Sequence, residues 1–420
     1  MRTEDLIHFC APSRLVMGCG TRAQLPALVQ RLGWRCGVLV TDRFFTQSTP
    51  WVREYVDAAQ ARKIEVIVFD GGAPDPSTVL CDEATASVRR KAEGRVIDHV
   101  IALGGGSNID LAKALCLTLP GGKPVKDFVG DIGGVQPLPL VALPTTAGTG
   151  SEATPGAILI DPENATKIAV MDNALRPQIA LVDPEFTYSC PPRVTADAGI
   201  DAFTHAIESF LTLDSALYDR QGHADPGYSG RSALTMLFAR ESMRLCARWM
   251  VPVYQDGSLK EGRAAMAYAS LYAALSYGSA GLNAVHGLAY AVAAQTHKSH
   301  GSTNAVMLPY VLDEIAAVRP QEFAELADLL GLGPMDAAAA SRAVPVRVRE
   351  WVGQLGIPTD LKAFGIAESA LETMVTDGLE VARLAKAFPV ADVPAAYRRV
   401  VLKAYAGRLS GDAWTASQGT

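Results

Sequence analysis

Val100-Ile-Ala-Leu103-Gly104-Gly-Gly-Ser107-Asn-Ile-Asp110-Leu-Ala-Lys113 runs from an apolar tetrapeptide straight into three glycines and then into a helical pattern. A strand that ends in a turn without side chains and passes at once into a helix exposes backbone N–H groups and a helix N-terminus together. That suits a pyrophosphate, although the glycine spacing is not the usual dinucleotide fingerprint and a tight strand-to-helix turn accounts for it equally. Three other runs read as buried strands: Gly37-Val-Leu-Val-Thr41, Glu65-Val-Ile-Val-Phe69 and Leu140-Val-Ala-Leu143. Amphipathic helical stretches lie between them, for example Thr49 to Ala61 and Asp82 to Ala92. The first of these opens with Thr49-Pro50, read as an N-cap followed by proline at the first helical position. Such alternation predicts a parallel sheet with helices on both faces and ligands at the carboxyl ends of its strands.

Two further segments fall at strand ends. Pro144-Thr-Thr-Ala-Gly148-Thr-Gly-Ser-Glu152 packs small hydroxyl residues with glycine, which suits a ribose or a nicotinamide amide, or a capped turn. Asp42, in Val40-Thr-Asp42-Arg43, is placed to accept hydrogen bonds from an adenosine ribose and to repel a 2′-phosphate, favouring NAD. Arg43 beside it could accommodate that phosphate and leaves NADP open. From about Pro184 the pattern becomes helical, with stretches Arg231 to Trp249, Gly262 to Leu275, Gln321 to Leu330 and Glu368 to Ala387. We therefore divide the chain into an α/β nucleotide-binding domain over 1–184 and an all-helical domain over 185–420. Within the helical domain, Leu213 to Tyr228 is polar and rich in turn formers, a long loop in which His223 reads as solvated.

At 420 residues the chain is too long for one ordinary core, and 49% hydrophobic with 20% charged residues describes a globular protein with ample interior. A net charge of −6 disfavours a nucleic-acid partner and offers no basic stripe for anionic membranes. Seven cysteines are scattered singly, the pattern of reduced thiols, and the N-terminus lacks an apolar signal core. These features predict a soluble cytoplasmic protein.

The chemistry gathers around Asp197-Ala-Gly-Ile-Asp201-Ala-Phe-Thr-His205-Ala-Ile-Glu208. Asp201 and His205 stand four apart in a helical run, so a carboxylate and an imidazole leave the same face. Alone, that pair is as ordinary as any two polar residues on an exposed helix. A second stretch changes the balance: Ala284-Val-His286-Gly, then Ser299-His300-Gly301, in a chain with only seven histidines. One aspartate and three histidines form a mixed oxygen and nitrogen donor set, suited to iron or zinc rather than calcium.

Taken together, Gly104 to Lys113, Pro144 to Glu152, Asp201 to Glu208, and His286 with His300 resemble the iron-containing, or group III, alcohol dehydrogenases. The resemblance extends from Val16-Met-Gly-Cys-Gly20 to about Ala406. It implies a Rossmann-like nucleotide-binding domain followed by a helical domain, an architecture shared with dehydroquinate synthase. It makes Asp201, His205, His286 and His300 the ligands of a catalytic cation, Fe²⁺ with Zn²⁺ as the alternative. It sets Gly104, Gly105, Gly106 and Ser107 on the pyrophosphate, with Asp110 in the same cofactor motif, and Thr145, Thr146, Thr149 and Lys167 along the nicotinamide half. The implied reaction interconverts a small alcohol and an aldehyde or ketone by hydride transfer to or from NAD(P), in a homodimer or higher homo-oligomer.

One departure concerns the residue four after His286. Many members carry a second histidine there; this chain has Tyr290, which could relay a proton or merely pack. The Asp214 to Tyr228 loop is also longer than usual in the family, His297 could face the cleft or solvent, and Lys298 is assigned to solvent. A zinc polyol dehydrogenase of the glycerol type, a hydroxyacid–oxoacid transhydrogenase and a non-catalytic nucleotide-binding scaffold remain as other readings. The scaffold fits least, since an idle site has no physical reason to hold a buried Asp among three His.

Overall fold

The computed structural model describes residues 6–164, 166–220 and 222–412. Among the described residues eight strands are formed: β1 (Arg14–Met17), β2 (Cys36–Val40), β3 (Glu65–Phe69), β4 (His99–Gly104), β5 (Leu140–Pro144), β6 (Gly156–Asp161), β7 (Thr166–Met171) and β8 (Ile179–Val182). Six of them make one parallel sheet in the order β1-β8-β5-β4-β2-β3. β2, β4, β5 and β8 are buried along their whole length, as continuous apolar runs must be when both faces of a sheet are covered.

The pleat divides the core in two. Val38, Val40, Val100, Ala102, Leu140 and Ala142 pack with Cys81, Val88, Ile109 and Leu115 of α4 (Thr78–Ala92) and α5 (Gly106–Gly121). Their sequence neighbours Leu39, Ile101, Leu103, Val141 and Leu143 pack on the other face, against α1 (Leu25–Arg31) and α3 (Trp51–Gln60). The short α2 (Arg43–Ser48) links β2 to α3. Truncating a fully buried aliphatic such as Leu103 to Ala would cost about 2–5 kcal/mol.

All four predicted strands are present, and β1, β8 and the antiparallel hairpin β6–β7 are additions to the sequence reading. The predicted Thr49 cap does not form. Thr49 is extended and its hydroxyl donates back to the Phe45 carbonyl (2.8 Å), closing α2, so that Pro50 itself takes the cap position and α3 begins at Trp51.

Contacts divide the chain into a sheet unit, Cys10–Ser189 with Ala224–Gly227, and a helical unit containing Cys190–His223 and the chain from Tyr228 onward. The helical unit comprises α6 (Pro192–Leu211), α7 (Ala233–Gln255), α8 (Lys260–Ala280), α9 (Ala284–Thr296), α10 (His300–Ile315), α11 (Pro320–Leu329), α12 (Ala337–Gln354), α13 (Leu361–Phe364), α14 (Leu371–Glu380), α15 (Ala382–Ala385) and α16 (Val393–Ala406). The single helix read over Glu368 to Ala387 is in fact a 3₁₀ turn, α14 and α15, because Val381 leaves the helical region (φ −78°, ψ 64°). α6 is buried on every side from Gly199 to its end and packs against α7, α8 and α10. Among the described residues, no helix is long and apolar enough to cross a membrane.

Candidate metal centre and nucleotide-binding segments

Three helices of the helical unit converge on one point. Asp201 and His205 lie one turn apart on α6, His286 is the third residue of α9, and His300 is the first of α10. One donor atom from each of the four lies within 4.8 Å of all the others. Asp201 Oδ1 is 3.8, 3.9 and 3.8 Å from Nε2 of His205, His286 and His300, and the Nε2 atoms of His205 and His286 are 3.1 Å apart. Donors about 2.0–2.2 Å from a common cation stand at separations of this order. Asp201, His205 and His286 are buried, whereas the His300 side chain is 32% exposed.

Close packing enforces this convergence. A Cβ on Gly301 would fall 2.1 Å from the Asp197 carbonyl oxygen, so only glycine lets the start of α10 meet α6 there. Ser302 Oγ donates to Asp197 Oδ1 across the same crossing. The His205 ring stacks on Tyr277 of α8, with centroids 4.2 Å apart.

Glu208 had no assigned role in the sequence reading. It stands two turns after Asp201, and its Oε1 accepts the backbone N–H groups of Asn283 (3.1 Å) and Val285 (2.8 Å) at the start of α9. Its Oε2 pairs with His286 Nδ1. With the proton on Nδ1, the Nε2 lone pair faces Asp201, the usual outer-sphere device for orienting a histidine ligand. Burial raises the Glu208 carboxyl and lowers the His286 imidazole to about 4, keeping that ring neutral. For Asp201, burial acts upward, but the three histidines and the Asn304 amide outweigh it and hold the carboxyl below its usual range.

Tyr290, one turn beyond His286, lies beside His300, its ring centroid 5.9 Å from that imidazole at an interplanar angle of 27°. His297 closes α9 in the left-handed conformation (φ 52°) and is exposed, as is His223 in its loop. Lys298 is exposed as predicted, but its ammonium is tethered, donating to the Phe364 carbonyl and lying 4.0 Å from that ring's centroid. The loop after Leu213 is anchored, because Asp214 pairs with Arg231 (2.7 Å) and Arg319 (3.1 Å).

In the sheet unit, β4 and β5 end side by side, Gly104 opposite Pro144, and deliver the two glycine-containing segments together. A Cβ on Gly106 would lie 2.7 Å from Thr149 Cγ2, so the first turn of α5 and the threonine loop are in direct contact. Thr146 faces Gly105 in the same way, and Thr145 donates its N–H to the Gly104 carbonyl. Ser107 Oγ accepts the Asp75 N–H, and the Asp75 carboxylate pairs with Lys167 (2.8 Å), which gathers Ser107 and Lys167 around one loop.

Asp42 and Asp110 have protein partners. Asp42 caps α2 through the Phe44 N–H and accepts from Asn108 Nδ2 (2.8 Å). Asp110 is buried and ties α5 to β6 by accepting the Ile158 N–H, with Lys113 Nζ 3.9 Å away. Lys113 is fully buried and donates to Thr154 O, Thr154 Oγ1 and Gly156 O, bracing the far end of the threonine loop. Burial lowers its ammonium to about 8.

Residues 12–184 match the family described as iron-containing alcohol dehydrogenase, and residues 195–394 match the Fe-containing alcohol dehydrogenase family, C-terminal. The chain is 33% identical to long-chain-alcohol dehydrogenase 1 of Geobacillus thermodenitrificans, over 94% of this chain and 95% of that one. It is 30% identical to the NAD-dependent methanol dehydrogenase of Bacillus methanolicus, over 89% and 94% of the two chains. The crystal structure of a 1,3-propanediol oxidoreductase superposes with a TM-score of 0.85 at 26% identity, covering 95% of this chain and all of that one.

Proposed function

Because the chain belongs to the iron-containing alcohol dehydrogenase family, we propose that it uses Asp201, His205, His286 and His300 to hold the cation with which it oxidises a small alcohol, or reduces the matching aldehyde or ketone. The observation that carries this reading is the convergence of those four donor atoms within 4.8 Å, three of the four residues being buried. The donor set fits iron, and zinc equally by residue type. A cation held there supplies a Lewis acid for the substrate oxygen, and a bound nicotinamide supplies the hydride acceptor or donor.

The remaining roles belong to the protein. Glu208 keeps the His286 lone pair aimed at the cation, and Tyr277 supports the His205 ring. The exposed side of His300 admits substrate, and the Tyr290 hydroxyl passes a proton between that side and solvent. Gly104, Gly105, Gly106 and Ser107 offer backbone N–H groups to the cofactor's pyrophosphate. Thr145, Thr146, Thr149 and Lys167 flank the nicotinamide half, and Asp110 keeps α5 in register beneath them. Asp42 favours NAD over NADP.

We place residues 1–184 as the nucleotide-binding domain and 185–420 as the metal-binding domain of a cytoplasmic homo-oligomer. The curated relatives support a primary alcohol as substrate, since one is named for long-chain alcohols and another for methanol. The test uses dialysed protein reloaded with Fe²⁺ or Zn²⁺ and assayed with NAD against a panel of primary alcohols and diols, beside His286→Ala and His300→Ala. Turnover that needs added metal, with little metal bound in either variant, is expected. Full metal content in both variants would remove the ligand assignment, and turnover only with a hydroxyacid and an oxoacid together would point to a transhydrogenase.

A further inference from the structure

Asn304 is 0% exposed and lies on α10, one turn after His300. A buried primary amide needs an account, because polar groups taken from water without partners are costly. Its Oδ1 has no hydrogen-bond partner. All the bonding of the side chain is directed through Nδ2, which lies 2.8 Å from Asp201 Oδ1, 3.1 Å from His286 Nε2 and 3.3 Å from His300 Nε2. One amide nitrogen, with two hydrogens to give, thus reaches donor atoms of three of the four residues assigned to the cation; a cation taking the Nε2 lone pairs of His286 and His300 would leave it the bond to Asp201.

Asp201 Oδ1 is the atom that matters most. Its near-equal distances from the three Nε2 atoms make it the carboxylate oxygen that faces the centre of the set. A carboxylate free to rotate can bind a cation through one oxygen or two, and the choice decides how many coordination positions remain for substrate. An N–H donated to Oδ1 fixes the carboxylate torsion and draws charge from the donor oxygen. No charged side chain could do this as well: a second carboxylate would repel Asp201, and an ammonium would compete with the cation.

We propose that Asn304 is a positioning residue of the metal centre, holding Asp201 as a single-oxygen donor and so setting the affinity and the coordination number of the cation. The proposal rests on the metal reading above. It needs the side-chain N–H group rather than the volume of the residue, which makes it separable from packing.

The experiment compares wild type with Asn304→Leu, which keeps the branched shape without the donor, and Asn304→Ala, which leaves room for a water to donate instead. Zn²⁺ affinity is measured by competition with a chelator, and coordination number by the visible absorption of the Co²⁺-loaded protein. Affinity about 10–100-fold weaker in the leucine variant, the usual range for an outer-sphere partner, is expected, with a smaller loss in the alanine variant. The Co²⁺ band should change intensity as Asp201 turns to bind through both oxygens. Unchanged affinity, or weakened affinity with an unchanged Co²⁺ band, would overturn the proposal; should the leucine variant not fold, the alanine variant decides by the same criteria. His205→Ala serves as the control. If it loses the cation while the Asn304 variants bind as wild type does, only this inference fails; if it retains the cation, the metal reading fails and this inference with it.

Discussion

Replacing Glu208 with Gln changes almost no volume and leaves one acceptor oxygen where there were two, so it isolates what the second oxygen does. In the native protein Oε1 serves two backbone N–H groups at the head of α9 and Oε2 serves His286 Nδ1. A glutamine has only one oxygen to share. Turning that oxygen toward His286 would strand the Asn283 and Val285 N–H groups, at about 1–3 kcal/mol for each buried donor left unmade. The amide therefore keeps its oxygen on the backbone and presents its NH₂ to His286. Two donors cannot face each other, so the imidazole proton moves to Nε2, onto the lone pair that points at Asp201. Binding a cation must then expel that proton or rotate the ring. The expected loss is about 10–100-fold in metal affinity, or roughly 1.4–2.8 kcal/mol. Chelator competition on purified protein reads it directly. Thermal unfolding of the metal-free variant should show a loss of less than about 2 kcal/mol, because both backbone bonds survive. Wild-type affinity in Glu208→Gln would show that His286 is oriented by something else.

Tyr290→Phe deletes a hydroxyl beside His300 and keeps the ring; if that hydroxyl relays a proton, kcat should fall about 10²-fold or more with metal content unchanged. An unaltered kcat across the pH range would leave Tyr290 as a packing residue. Asp42→Gly should narrow the preference for NAD over NADP by about 1–3 kcal/mol in the ratio of kcat/KM values. Its cost through the α2 cap should be small, about 0.3 kcal/mol, because glycine is itself a fair N-cap, and identical cofactor ratios in variant and wild type would refute the ribose role. Lys113 titrates near 8 in the folded protein, below the 10.5 of a free lysine, because burial disfavours its charge. Between those values the unfolded chain holds more protons than the folded one, so stability rises with pH, by about 3 kcal/mol from this group alone. Lys113→Met should lack that rise in chemical-denaturation series from pH 8 to 10.5, and parallel curves for the two proteins would refute it.

What the sequence made legible follows the range of the interactions involved. β2, β4 and β5 could be read directly because strands buried on both faces are unbroken apolar runs, and their register then brings Gly104 and Pro144 together. β1 escaped because, at the sheet edge, it is half exposed and lacks the apolar run; β8, Ile179-Ala-Leu-Val182, carries the same unbroken apolar signal as β4 and β5 and was passed over. The Thr49 cap failed for a local reason: a hydroxyl that could open one helix instead closed the one before it.

The four proposed ligands were visible because histidine is scarce in this chain and Asp201 and His205 share a helical face. The residues that position them were not. Glu208 acts on groups 75 to 78 positions away, and Asn304 reaches back 103 positions to Asp201. Lys113 finds its acceptors 41 to 43 residues on. Each of the three is an unremarkable polar residue on a helix until the fold supplies its partner. A cation centre needs donors of the right chemistry, which periodicity can reveal. It also needs those donors turned in the right direction, and here that depends on one carboxylate fixing a tautomer and one amide bound to a carboxylate oxygen. Both depend on the packing of α6 against α9 and α10, where Gly301 permits the approach and Ser302 holds it. The orientation of the ligands is therefore a property of the helix crossings, and substitutions that shift α10 on α6 should disturb the metal without touching a single ligand.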